Sequence, residues 1–359
     1  MRVLVVAAPL IGHVFPLVPL ARALLAAGHE VLVATAGDGL RVAAAGLPVR
    51  DVAPGFRFGR AAMRAVLRRP FLIRAELAGT AGVRMVGHLF GAVNDTIAGG
   101  VLAVGREWRP DRIVFEPLAA AGAVVAARLG VPGILHENSL YDGPELLAAT
   151  RMRGRPELVA PAAVIRIAPA SVAGRGTHLP MRFVPYGGEG ELPDWLAGPP
   201  SRPRILVSRS TVPQPGPDRT TPRLLEAAAG VDADVVLIRP AGDRKLPSNV
   251  RTVGWVPIPA ALAAGASIVH HGGAGTTLTA LHAGAPQLIV RGAGDRRFNA
   301  ELVAARGAGI AVDERDISAA LLNRLITDPL LAVINREVRA EIAAMPAPEA
   351  LVEAIRQAG

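Results

Sequence analysis

The chain predicts an α/β fold of two doubly wound parallel-sheet domains. Three observations carry that expectation. Apolar runs rich in Val, Ile and Leu alternate with helical patterns in both halves, as buried parallel strands and crossover helices do. A length of 359 residues with 51% hydrophobic content is enough for two ordinary cores. A stretch rich in glycine and proline, YGGEGELPDWLAGPPSRPR, separates two alternating series. The expected division is a Rossmann-like domain at 1–186, a linker at 187–203, a second Rossmann-like domain at 204–340, and a C-terminal helix at 341–359 able to pack back on the first domain.

In the first half the expected strands are Val3–Ala7, Glu30–Thr35, Arg112–Glu116 and Gly133–His136, with helices at Phe15–Ala27 and Ala119–Leu129. A basic helical stretch from Phe56 to Arg84 breaks the alternation, as insertions that line or cover a site do. In the second half the strands are Ile205–Ser208, Asp234–Ile238, Val250–Gly254, Ala266–His270, Gln287–Val290 and Gly309–Val312. The helices fall near Pro222–Ala229, Pro259–Ala264, Thr276–Ala283, Arg297–Ala305 and Ile317–Leu325. In such sheets ligands sit beyond the carboxyl ends of the strands, here facing a central cleft.

Composition excludes several classes. There is no cysteine, hence no disulfide and no thiolate metal site. Aromatics make up only 4% of residues, so the cores rely on small and branched side chains. The apolar start is interrupted by His13, by Pro16 and Pro19, and by Arg22, unlike a signal peptide, and no run reaches the roughly 20 apolar residues of a membrane span. A cytoplasmic protein without membrane partners is expected. The net charge of +9 is carried almost wholly by arginine, with Lys245 the only lysine. These arginines are scattered and not interleaved with aromatics, which argues against nucleic acid and leaves an anionic small molecule as the compatible partner.

Chemistry-bearing residues lie at the expected strand ends. His13 follows the first strand at a helix start, where the helix dipole disfavours imidazolium and favours a neutral base. Structural histidines are common there too. Glu116 ends its strand at the same sheet edge. It either accepts Nδ1–H of His13 or serves as a local cap ahead of Pro117. In the second half ASIVHHGGAGTTLTALHAGAPQ joins a strand, a glycine turn and a helix N-terminus, which together form a natural anion site. Trp255 and Val256 follow another strand and suit a nucleobase, the indole by stacking and the backbone by bonding its edge. Asp295, Arg296 and Asn299 surround a further helix start, where polar groups suit hydroxyls.

These motifs together resemble the GT-B family 1 glycosyltransferases. The match is strongest to the actinomycete branch that attaches deoxysugars to macrolide, enediyne and polyketide natural products, the calicheamicin glycosyltransferases among them. The resemblance rests on GHVFPLVPLARALLAAGHEV, PMRFVPYGG, VGWVP, HHGGAGTTLTALHAGAPQL and GDRRFNAELVAARGAGIAV. It implies an acceptor domain followed by a nucleotide-sugar domain, inverting transfer to a hydrophobic acceptor, and no metal or other cofactor. His13 becomes the general base and Glu116 its acidic partner. His271 and the N–H groups of Gly273, Ala274, Gly275 and Thr276 become the diphosphate cradle. Trp255 and Val256 hold the base, while Gln287 and Asp295 lie near the ribose and sugar. Thr279, where uridine-using relatives carry glutamate, favours a TDP-linked donor. The chain departs from the family pattern at Glu116, commonly aspartate. It departs again at Arg296, commonly glutamine, and in SRST, where Ser210 and Thr211 replace a glycine loop beside the phosphates. A non-catalytic sugar-nucleotide binder that assists another transferase is the alternative; a homodimer is compatible with either.

Overall fold

The computed structural model describes residues 1–68, 83–154, 158–176, 178–210, 218–240 and 245–359. Thr211 and residues 69–82 of the basic Phe56–Arg84 stretch lie outside that set. The chain forms two compact units. The first comprises Met1–Ala168, Arg175–Gly188 and Ala344–Gly359; the second comprises Pro169–Gly174 and Glu189–Ala343. No helix among the described residues is long and apolar enough to cross a membrane.

The first unit holds a seven-stranded parallel sheet, ordered β3-β2-β1-β4-β5-β6-β7. Its strands are β1 (Arg2–Val6), β2 (Glu30–Thr35), β3 (Val49–Asp51), β4 (Arg112–Phe115), β5 (Gly133–His136), β6 (Ala163–Arg166) and β7 (Leu179–Pro180). Val3, Leu4, Val5 and Val6 of β1 are at most 2% exposed, because helices cover both faces of a parallel sheet. Strand order reverses between β1 and β4, which makes their carboxyl ends the switch point of this sheet. The 26-residue helix Val83–Trp108 packs against the helix Ala120–Leu129. Asn94, fully buried in that long helix, donates to the Phe90 and Leu118 carbonyls, and its Oδ1 accepts from the N–H of Ala121. It thereby ties the helix to the loop after β4. The C-terminal segment closes on the same unit: Arg112 donates to the Arg356 carbonyl at 3.0 Å, and Arg182 N–H to that of Pro346 at 2.7 Å.

The second unit holds a six-stranded parallel sheet, ordered β10-β9-β8-β11-β12-β13. These strands are β8 (Arg204–Ser208), β9 (Asp234–Ile238), β10 (Val250–Val253), β11 (Ser267–His270), β12 (Gln287–Val290) and β13 (Gly309–Val312). Its switch point lies between β8 and β11. The glycine- and proline-rich stretch at 187–203 is packed rather than free. Leu196, in the helical turn Asp194–Ala197, is fully buried, and Arg204 donates to the carbonyls of Trp195, Leu196 and Gly198.

Candidate active site

After β1 the chain turns through Ala7–Leu10 and becomes helical at Ile11, one turn earlier than the Phe15 start expected. The run advances in short pieces, Ile11–Val14, the 3-10 turn Phe15–Leu17, then Val18–Ala26, because Pro16 and Pro19 interrupt the hydrogen-bond ladder. His13 therefore stands within the first turn. Its Nδ1 lies 3.2 Å from Glu116 Oε1, and its ring centroid 4.8 Å from that of Phe90. The sequence placed both residues at one sheet edge; the fold brings them into contact at the switch point.

Glu116 is fully buried, whereas the His13 side chain is 19% exposed, so the imidazole is the accessible member of the pair. A carboxylate out of water costs several kcal/mol unless donors surround it. Here four do. Oε1 accepts from Ala8 N–H at 3.1 Å and faces His13; Oε2 accepts from Leu118 N–H at 2.8 Å and from the Asn138 amide at 3.1 Å. Glu116 thus fills both roles open to it, local cap and partner of His13. His136 nearby is fully buried, and burial pushes its pKa down to about 4, which keeps it neutral.

In the second unit β11 ends in two histidines with separate tasks. His270 is buried and, through burial, pushed down to about 4. Its Nδ1 accepts from Gly272 N–H at 3.1 Å, so the ring proton sits on Nε2 and is donated to Gln287 Oε1 at 2.9 Å. The Gln287 side chain is fully buried at the amino end of β12 and braces the turn. Gly272 has φ +80, and a Cβ there would meet the Arg296 carbonyl at 2.8 Å; a Cβ on Gly273 would meet His271 Nε2 at 2.5 Å. Only glycine lets this backbone pass so close to its neighbours.

Helix Ala274–Ala283 begins earlier than the Thr276 start expected, with Gly273 as its N-cap and no side-chain cap bond. The first-turn N–H groups of Ala274, Gly275 and Thr276 consequently lack an intrahelical acceptor. His271 beside them is half-buried. Among the described residues its Nδ1 has no hydrogen-bond partner. Burial, and then the Arg296 guanidinium, hold its pKa well below the usual value. Asn299, fully buried, donates to the Gly272 carbonyl at 2.8 Å and to Asp295 Oδ2 at 3.0 Å. Its amide shapes the turn.

Around this turn Arg296 donates to Ser210 Oγ at 3.1 Å, and burial lowers its pKa. Arg239 closes β9 with φ +52, rare for a side-chain-bearing residue. Its guanidinium donates to the Arg209 carbonyl at 3.2 Å and lies 5.1 Å from the Trp255 ring centroid. Val256 packs its side chain into the core and is 4% exposed, so any outside contact it makes is through its main chain. Thr279 Oγ1 is bonded to the Gly275 carbonyl. The neighbourhood of His136 to Tyr141 was expected to line an acceptor pocket, but Arg239, the bond from Asn138 to Glu116 and the bracing role of His270 were missed; only the doubled histidine offered a signal.

Family models described as Erythromycin biosynthesis protein CIII-like match residues 22–210 with the N-terminal domain and 222–357 with the C-terminal domain. The chain is 37% identical to elloramycin glycosyltransferase ElmGT of Streptomyces olivaceus over 97% of its own length and 95% of the relative's. It belongs to this glycosyltransferase family. Among solved structures, SnogD from Streptomyces nogalater aligns with a TM-score of 0.81 and 33% identity, covering 99% of each chain. The Streptomyces sp. SF2575 glycosyltransferase SsfS6, complexed with thymidine diphosphate, aligns with a TM-score of 0.82 and 29% identity, covering 100% of each. As an Erythromycin biosynthesis protein CIII-like glycosyltransferase the chain has the GT-B fold, and its two switch points carry the groups described above.

Proposed function

We propose that this glycosyltransferase moves a deoxysugar from a TDP-linked donor to a hydrophobic natural-product acceptor, inverting the anomeric centre. The observation that carries this reading is the 3.2 Å contact between His13 Nδ1 and a fully buried Glu116. With Nδ1–H directed at the carboxylate, Nε2 keeps its lone pair for an acceptor proton. As the acceptor oxygen bonds to the anomeric carbon, its proton passes to Nε2, and Glu116 balances the imidazolium that forms. The bond from the anomeric carbon to the β-phosphate oxygen breaks, and the electron pair leaves with TDP. The N–H groups at Gly273–Thr276, with His271 and the positive charge of Arg296 and Arg239, receive that diphosphate. No step calls for a metal ion. The TDP assignment is supported by the SsfS6 complex with thymidine diphosphate, and by Thr279, whose committed hydroxyl cannot clamp a ribose diol.

The test is incubation with TDP-deoxysugars and a panel of phenolic and macrolide aglycones, with chelator present. A glycoside of inverted anomeric configuration, absent with His13→Ala, supports the proposal. TDP binding without transfer to any acceptor favours the auxiliary-partner alternative.

A further inference from the structure

We propose that Asn138 is the positioning residue of the His13–Glu116 pair, holding the carboxylate so that Oε1 stays on Nδ1 of His13. This rests on the reading of His13 as base. Among the described residues, Asn138 and His13 are the side chains that reach the Glu116 carboxylate; its other two donors are the backbone N–H groups of Ala8 and Leu118. A glutamate carries one more rotatable bond than an aspartate. Its carboxylate therefore needs a lateral restraint to keep Oε1 on His13. The Asn138 amide supplies it at 3.1 Å on Oε2, without adding a charge to a buried site.

The same amide nitrogen lies 3.4 Å from His13 Nδ1. With Nδ1 protonated both nitrogens are donors, so they do not bond each other; both point at the Glu116 carboxylate, and that contact fixes which end of the Asn138 amide faces it. Nδ1 must carry its proton toward Oε1; otherwise two acceptors would meet at 3.2 Å. Nε2 is left as the basic nitrogen.

Asn138 is itself held firmly. It is 6% exposed and follows Glu137, which is fully buried. Glu137 Oε1 accepts from Gly143 N–H at 2.8 Å, its Oε2 lies 3.3 Å from Arg166 Nε, and its N–H donates to the Ile165 carbonyl at 2.9 Å. Glu137, Asp142 and His178 converge closely enough to hold a cation, and the Arg166 guanidinium supplies positive charge there. A Cβ on Gly143 would meet Glu137 Cγ at 2.8 Å, so the loop after β5 is packed against this anchor. A positioning group needs such a rigid backing.

The test is 15N spectroscopy of histidine-labelled protein, with His13 assigned by the signal lost in His13→Gln. The wild type is expected to show neutral His13 as the Nδ1–H tautomer. Asn138→Ala should yield a tautomer mixture and about a tenfold fall in kcat, a fraction of what a general base contributes, with donor KM unchanged. An Nε2–H tautomer in the wild type overturns the proposal without any variant. So does an Asn138→Ala tautomer spectrum identical to wild type. Full transfer activity in His13→Gln would instead overturn the base assignment, a result separate from the tautomer reading.

Discussion

Arg296 reaches Ser210 Oγ at 3.1 Å, joining the start of the helix Arg296–Arg306 to the loop after β8. The Ser210 hydroxyl and the Arg296 guanidinium are therefore in contact, and after burial the Arg296 charge also depresses the His271 pKa. Arg296→Gln is expected to weaken TDP binding by about tenfold, near 1.4 kcal/mol, the scale of one hydrogen bond to a charged group. The salt dependence of binding should shrink with it. Titration calorimetry at two ionic strengths checks both; an unchanged affinity would place Arg296 away from the diphosphate.

Gly272 is the residue on which the cradle's backbone path depends. With φ +80 and the Arg296 carbonyl 2.8 Å from a would-be Cβ, alanine meets both strain and a backbone clash. Gly272→Ala should cost about 1–3 kcal/mol in stability and abolish TDP binding. Gly12 makes the contrast, since a Cβ there would meet nothing within 4 Å. Gly12→Ala should retain both. Thermal melts with and without TDP separate the two variants.

His270 predicts the direction of pH dependence. Its pKa in the folded state, pushed down to about 4 by burial, lies below the 6.5 of an unperturbed histidine. The unfolded chain therefore binds a proton that the native chain refuses. Stability from this group is complete above 6.5 and is lost as pH falls toward 4. Between pH 7 and pH 5 the wild type should lose about 2 kcal/mol more than His270→Gln. Equal losses in denaturant titrations at the two pH values would contradict a buried neutral His270.

The doubly wound pattern was legible because buried parallel strands such as Val3–Val6 and Ile205–Val207 are continuous apolar runs. The strands β3, β6 and β7 escaped notice. They are short and lie toward one edge or the other of the sheet, where VRD, AVIR and LP carry polar residues or proline. The His13, Glu116 and HHGGAGT positions could be read because switch-point loops carry ligand chemistry whatever the fold's details. Asn138 could not, since its partner Glu116 lies on another loop and nothing local in ENSLYDG marks the pairing. The burial of Gln287 was hidden for the converse reason: a polar side chain opening a strand reads as accessible until the fold closes over it. The helix starts at Ile11 and Ala274 were placed late because neither has a Ser, Thr, Asp or Asn cap to announce it.

The most direct measurement is a calorimetric titration of the purified protein with TDP and, separately, with UDP. The account predicts a clear preference for TDP, lost in His271→Ala and retained in His13→Ala, because the cradle holds the diphosphate while His13 serves the acceptor. Equal or tighter binding of UDP would contradict the donor assignment. Binding that survives in His271→Ala would contradict the cradle.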